Sequence, residues 1–223
     1  MSTGRDGRPL RLAVLASGNG SNLQAVIDAC AAPRFGARVV AVFSDKPEAF
    51  ALERARAAGI KAVALPFSKG QARGDYDAAL AGEVAALEPD LIFLLGWMRL
   101  LSGSFLSRFP GGVVNLHPAL PGTFPGTHAV ERALDAYHSG ALDRTGVMTH
   151  FVPDEGVDSG PVILAAEVPI HPDDTLATLE ARVHVAEHRL IVDTVKRLID
   201  KYGPRRPGSP EKDKRAIKNV EQQ

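Results

Sequence analysis

The stretch Arg11-Leu-Ala-Val-Leu-Ala-Ser-Gly-Asn-Gly-Ser-Asn-Leu23 decides the fold. Residues 11–16 form a short run, apolar after its first residue, of the kind that makes a buried strand. Gly18, Gly20 and Ser21 then make a turn. From Asn22 the apolar residues Leu23, Val26 and Ile27 recur at the three- and four-residue spacing of a helix. The same alternation continues downstream. Residues 38–43 read as a strand, 48–58 as a helix, 61–65 as a strand and 75–88 as a helix. Leu91-Ile-Phe-Leu-Leu95 is a continuous apolar strand, and residues 112–116 form the next. Strands alternating with helices predict an α/β fold with a doubly wound, mostly parallel sheet.

After residue 118 the rhythm changes. Pro118, Pro121, Gly122, Pro125 and Gly126 punctuate a loop, and a helix is expected over 128–138. Residues 146–152 and 161–169 read as strands joined too briefly for a parallel crossover, so the pair is predicted antiparallel. A long amphipathic helix follows from Leu176 to Ile199, with Leu179, Val183, Leu190, Val192 and Val195 on its core face. Residues 1–10 are expected to be a flexible N-terminus, residues 11–203 one domain, and the charged, Pro-rich residues 204–223 a disordered tail.

Composition narrows the function. The chain has 223 residues and is 45% hydrophobic, enough for a real core. Its 26 basic and 26 acidic residues cancel, so no global charge steers it to nucleic acid or an anionic membrane. A single cysteine, Cys30, excludes an internal disulfide and reads as core. No apolar run approaches the roughly 20 residues of a membrane span, and the polar N-terminus carries no signal-peptide core. These features predict a cytoplasmic protein acting on small molecules, with neither nucleic acid nor membrane as partner.

Three polar residues carry the chemistry. Asn115 and His117 end an apolar run, two apart and therefore on one side of a strand, at the sheet edge where open α/β folds bind ligands. Asp158 closes the segment Gly146-Val-Met-Thr-His-Phe-Val-Pro-Asp-Glu-Gly-Val-Asp-Ser-Gly160, where its default role is that of a turn-former. An amide can hold a carbonyl oxygen, an imidazole can move a proton, and a carboxylate can set the imidazole's charge; together they suit acyl-type transfer. The glycine turn offers backbone amides to a phosphate, with a Ser N-cap as the plain alternative. Asp45 falls near the position of a ribose-binding acid, but Leu23 occupies the third glycine position of a dinucleotide fingerprint and no Gly-Lys-Ser/Thr follows. His128 and His150 are candidates for substrate contact, each with a structural role as its default. Trp97 and the residues after it read as a hydrophobic lid at the same edge. No histidine–carboxylate spacing matches a metal site.

Four segments together resemble the folate-dependent formyltransferases, and within them the phosphoribosylglycinamide formyltransferase branch. They are Leu15-Ala-Ser-Gly-Asn-Gly-Ser-Asn-Leu-Gln24, Gly96-Trp-Met-Arg-Leu-Leu101, Asn115-Leu-His-Pro-Ala-Leu120 and His150-Phe-Val-Pro-Asp-Glu-Gly-Val-Asp-Ser-Gly-Pro-Val-Ile163. The resemblance spans residues 11–199. It implies transfer of the formyl group of 10-formyltetrahydrofolate, the co-substrate, to the amine of 5'-phosphoribosylglycinamide, with no metal, by a monomer or homodimer. It implies that residues 11–118 form a nucleotide-binding half and 119–203 a C-terminal half. Asn115, His117 and Asp158 match the catalytic trio; Gly20, Ser21, Asn22 and Glu187 match the ribonucleotide site. Arg73, Met98, Arg99, Leu100 and Leu101, with Asn115 and Asp154, match the folate site, and residues 154–158 match a loop that closes over it. The chain departs from the family pattern at 119–123, Ala-Leu-Pro-Gly-Thr, where a lysine is common, and at His184, where a glutamine is often found. Related formyltransferases acting on methionyl-tRNA would need a further C-terminal domain and a basic surface, and the deformylases an N-terminal regulatory domain. In the implied mechanism Asn115 and a protonated His117 stabilise the oxyanion, one such donor being worth about 3 kcal/mol. Asp158 is expected to raise the ring's pKa and keep it charged.

Overall fold

The computed structural model describes residues 8–202. The expected tail, 204–223, and the first seven residues of the expected flexible N-terminus lie outside them. One seven-stranded sheet runs in the order β3-β2-β1-β4-β5-β6-β7. The strands are β1 (Leu10–Leu15), β2 (Ala37–Ser44), β3 (Lys61–Ala64), β4 (Leu91–Leu94), β5 (Val113–His117), β6 (Arg144–Phe151) and β7 (Val162–Pro169). The helices are α1 (Ser21–Ala31), α2 (Phe50–Ala57), α3 (Arg73–Ala85), α4 (Gly103–Leu106), α5 (Ala129–His138) and α6 (Leu176–Tyr202). Pairing is parallel from β3 through β5 and antiparallel for β5–β6 and β6–β7. The predicted antiparallel pair is β6–β7, and the antiparallel section begins one pairing earlier, at β5–β6. The single turn α4 was not foreseen, because four residues show no helical period. Strand β1 starts at Leu10, and Arg8 pairs with Asp90 just before it.

Burial explains the apolar runs. Leu12 to Leu15 are fully buried between β2 and β4. One face of the sheet packs against α1, α2, α5 and α6, and the other against α3 and α4. Behind the sheet, buried Thr149 of β6 shares a hydrogen bond of 2.8 Å with Thr194 of α6. Cys30 packs against the core, and burial pushes its thiol up to about 11.

The glycine turn is shaped by packing as well as conformation. Gly20, not Ser21, is the N-cap of α1; it is left-handed at φ 75°, and no side chain caps the helix. A Cβ there would lie 2.8 Å from Ala51 Cβ and 2.9 Å from Ala51 Cα, so only glycine lets α1 start this close to α2. Arg54 of α2 adds two bonds of 2.9 Å to Asn19, from Nε to its carbonyl and from Nη2 to its side-chain oxygen. Gly20→Ala is expected to destabilise the fold by about 2 kcal/mol through overpacking and left-handed strain, read as a lowered urea midpoint. An unchanged midpoint would show that the turn can shift away from Ala51.

Candidate active site

The order of strands reverses at β1 and β4, and the crevice beyond their C-terminal ends is the natural ligand site of such a sheet. Ser17 accepts the Met98 amide at 3.1 Å there, tying the glycine turn to the segment after β4. A cleft of about 630 Å³ opens beside it. Its walls are largely apolar, with Trp97, Leu100, Leu101 and Val157 among them, and Asn115, His117, His150 and Asp158 stand together at one end.

Sheet pairing assembles that end. Asn115 and His117 leave β5 on one side, and the reversed β6 sets His150 opposite Asn115 and Met148 opposite His117. The segment after β6 then brings Asp158 back over them. Asn115 Nδ2 donates to Asp158 Oδ1 at 2.9 Å and lies 3.2 Å from His150 Nε2. Asp158 Oδ2 accepts the Gly126 amide at 2.8 Å and sits 3.3 Å from His117 Nδ1, while Oδ1 is 3.4 Å from His150 Nε2. His117 Nε2 faces the Phe124 carbonyl at 3.0 Å. Asp158 holds a left-handed φ of 48°, a conformation that aspartate tolerates better than most residues.

The two charges of the trio are set by opposite balances. Burial works against the Asp158 carboxylate, but His150, the Gly126 amide and His117 outweigh it and hold the carboxyl below its ordinary range. Burial also works against a charged His117; here it wins, against the pull of Asp158 and the Phe124 carbonyl, and the ring sits below its ordinary pKa. The expectation that Asp158 keeps this ring charged is therefore corrected for the free site. Because a carbonyl can only accept, the neutral ring carries its proton on Nε2 and leaves its Nδ1 lone pair against the carboxylate. Only the imidazolium would satisfy both neighbours, so the ring is poised to take up a proton when negative charge arrives.

A second cleft, of about 290 Å³, shares Pro118, His128 and Ala129 with the first. Glu187, buried on α6, lies in its wall and accepts Asn22 Nδ2 at 3.1 Å and His184 Nδ1 at 2.8 Å on the same oxygen, Oε2. The glycine turn is thus joined to the last helix. Gly20, Ser21 and Asp45 line neither cleft. Met98 and Leu100 are exposed at the rim of the larger cleft, whereas Leu101 is buried. Arg99 stacks over Phe67 at 3.7 Å and also lies over Tyr76. Asp154 lines the cleft and forms the turn by accepting the Gly156 amide at 2.8 Å.

Arg73 stands outside the cleft linings and reaches them through two lining residues: its Nε donates to the Leu100 carbonyl at 3.1 Å and its Nη2 lies 3.0 Å from Glu155 Oε2, while Glu155 Oε1 accepts the Gly103 amide at 2.8 Å. The sequence reading missed this role of Glu155, an acid noted only as part of the turn. His150 is a sequence candidate for substrate contact with a structural role as its default, and its contact with Asp158 emerges only from strand register. Where a lysine is absent from 119–123, Arg132 holds the following loop, donating from Nη2 to the carbonyls of Phe124 and Pro125 at 2.8 and 2.7 Å.

Residues 10–195 match the family model described as formyl transferase. The chain belongs to the formyl transferase family. It is 44% identical over 181 residues to the phosphoribosylglycinamide formyltransferase of Escherichia coli (strain K12), covering 81% of this chain and 83% of that one. It is 40% identical to the enzyme of the same name from Dictyostelium discoideum, covering 85% and 98%. The crystal structure of glycinamide ribonucleotide transformylase 1 from Symbiobacterium toebii superposes with a TM-score of 0.82 at 39% identity, over 90% of this chain and 94% of that one. No helix among the described residues of this chain is long and apolar enough to cross a membrane.

Proposed function

We propose that this chain transfers the formyl group of 10-formyltetrahydrofolate to the amine of 5'-phosphoribosylglycinamide, in de novo purine biosynthesis. The observation that carries the proposal is the bonded cluster of Asn115, Asp158 and His117 in the larger cleft, beside the second cleft that Glu187 lines. The larger, mostly apolar cleft suits the folate, with Met98 to Leu101, Asn115 and Asp154 as its contacts and Arg73 reaching it through Leu100 and Glu155. The smaller cleft suits the amine end of the ribonucleotide, near Glu187, with the phosphate extending beyond that cleft to Gly20, Ser21 and Asn22, the last of which is bonded to Glu187. Residues 11–118 then act as the nucleotide-binding half and 119–203 as the C-terminal half of one domain.

In this reading the ribonucleotide amine attacks the formyl carbon, and the carbonyl oxygen takes up negative charge. The Asn115 amide and His117 stabilise that oxygen, and the growing charge draws a proton from solvent onto a ring already flanked by two acceptors, which the ring returns to solvent when the oxyanion collapses. The attacking nitrogen loses a proton, and N10 of the folate gains one as its bond to carbon breaks; Asp158 or water passes it between them. The oxyanion then collapses to the new formamide. The amine is the nucleophile, so the chemistry calls for neither a covalent enzyme intermediate nor a metal. The same reading makes the protein a cytoplasmic enzyme of small-molecule substrates, monomeric or homodimeric.

Release of tetrahydrofolate that depends on the ribonucleotide tests donor and acceptor together. Binding of the ribonucleotide by calorimetry without such release would favour a non-catalytic binding protein. The loop of residues 154–158 should close the folate cleft through Glu155. Glu155→Gln is expected to raise KM for the folate about threefold by loosening that loop, with no change in thermal unfolding, since the Arg73 pair is exposed. An unaltered KM would remove Glu155 from the loop's closure.

A further inference from the structure

The smaller cleft is unusually acidic for a site expected to receive a phosphorylated substrate. Glu180, Glu187 and His184 of α6 face it from one side, and Glu131 of α5 and His128, which caps that helix, from the other, and neither lysine nor arginine lines it among the described residues. His128 and Glu131 pair with each other at 3.1 Å. Glu187 is the buried member. Its Oε2 is engaged by Asn22 and by His184, whose side chain is 57% exposed and lies at 2.8 Å. Such a wall attracts a cation, and its charge changes with the state of the His184 ring.

We infer that His184 is a positioning residue that makes the cleft's hold on the ammonium form of the ribonucleotide amine depend on pH, by offsetting the Glu187 charge when the ring is protonated. This rests on the proposed function. The neutral ring donates Nδ1–H to Glu187 and leaves the carboxylate's charge to the ligand. The imidazolium keeps that bond but places a positive charge beside the same carboxylate, and so repels an ammonium. Hydrogen bonding to Glu187, together with the charges of Glu187 and Glu180, raises His184 above its ordinary pKa against the effect of burial, so the ring is charged at about pH 6 and discharges as the pH rises through that raised value.

Calorimetry with the ribonucleotide alone, at about pH 6 and about pH 8.5, tests the inference on the full chain. The amine of the ligand also responds to pH, so the measured quantity is the difference from His184→Gln, in which that response persists. At pH 6 the wild-type protein should bind about fourfold more weakly relative to this variant than it does at pH 8.5, the size expected of one charge acting about 5 Å away in a water-like medium. His184→Lys, charged at both pH values, should bind about fourfold more weakly than His184→Gln at pH 6, as the wild type does, and should keep part of that deficit at pH 8.5, where the wild type loses it. Equal pH dependence in wild type and His184→Gln would overturn the inference. Absence of ribonucleotide binding by all three proteins at both pH values would overturn the functional reading itself.

Discussion

Replacing His117 with alanine is expected to lower kcat by about 10²–10³-fold, while KM for folate and ribonucleotide shifts by less than about threefold. The ring is buried between Asp158 and the Phe124 carbonyl, and although it touches the larger cleft, most of the walls that would hold the two substrates come from other residues. Its proposed contribution appears only when the formyl oxygen becomes negative, so its loss should fall on turnover and not on ground-state binding. Steady-state kinetics with each substrate varied in turn separates the two. A KM that rises in step with the fall in kcat/KM would show that His117 holds substrate, and would sink its assignment to the oxyanion.

Asp158→Asn is expected to lower kcat by about 10²-fold and to move the titration of His117 to lower pH. The carboxylate accepts Asn115 on one oxygen and the Gly126 amide on the other, beside His117, so the isosteric amide, with a single acceptor oxygen, loses one of those two bonds as well as the charge felt by the ring. The sign follows from the balance at His117. Burial pushes its pKa down, and Asp158 is the largest influence pulling it up. Removing that pull leaves burial with less opposition, so the imidazolium persists only to a lower pH than in the wild type. Titration of the ring by NMR reads this directly. The kinetic inflection assigned to His117 should move in the same direction. A ring pKa that rises or stays fixed in the variant would break the proposed linkage between the two side chains.

Much of this site could be read before any coordinates, and the reasons are local. Leu12 to Ala16 and Leu91 to Leu95 are apolar without interruption because both faces of their strands are covered, so position in the sheet followed from composition. Asn115 and His117 share a side because strands alternate, and they lie at a strand end because the glycine and proline signals bound it. Long-range pairing was the hidden part. His150 belongs beside Asp158 only because β6 runs antiparallel to β5 in one register, and nothing in the residues near 150 states that register. Glu155 meets Arg73 across 82 positions of chain, and Asn22 meets Glu187 across 165. The charge on His117 was misjudged for a related cause: the neighbouring carboxylate is visible as a motif, whereas burial is a sum over the whole fold. His184 and Glu187, by contrast, are three apart on one helix, a spacing that brings side chains together and could have revealed their pairing.

The hydrogen bond between Thr149 and Thr194 lies in the helix layer on the far side of the sheet, yet it bears on the chemistry in front. A strand slipped by a single residue exchanges its two faces. Such a slip in β6 would turn a hydroxyl toward the larger cleft and bury an imidazole among aliphatic side chains. Two threonines that touch no substrate thus act as an alignment key for the reacting groups, and part of the enzyme's accuracy is stored behind the wall that carries them.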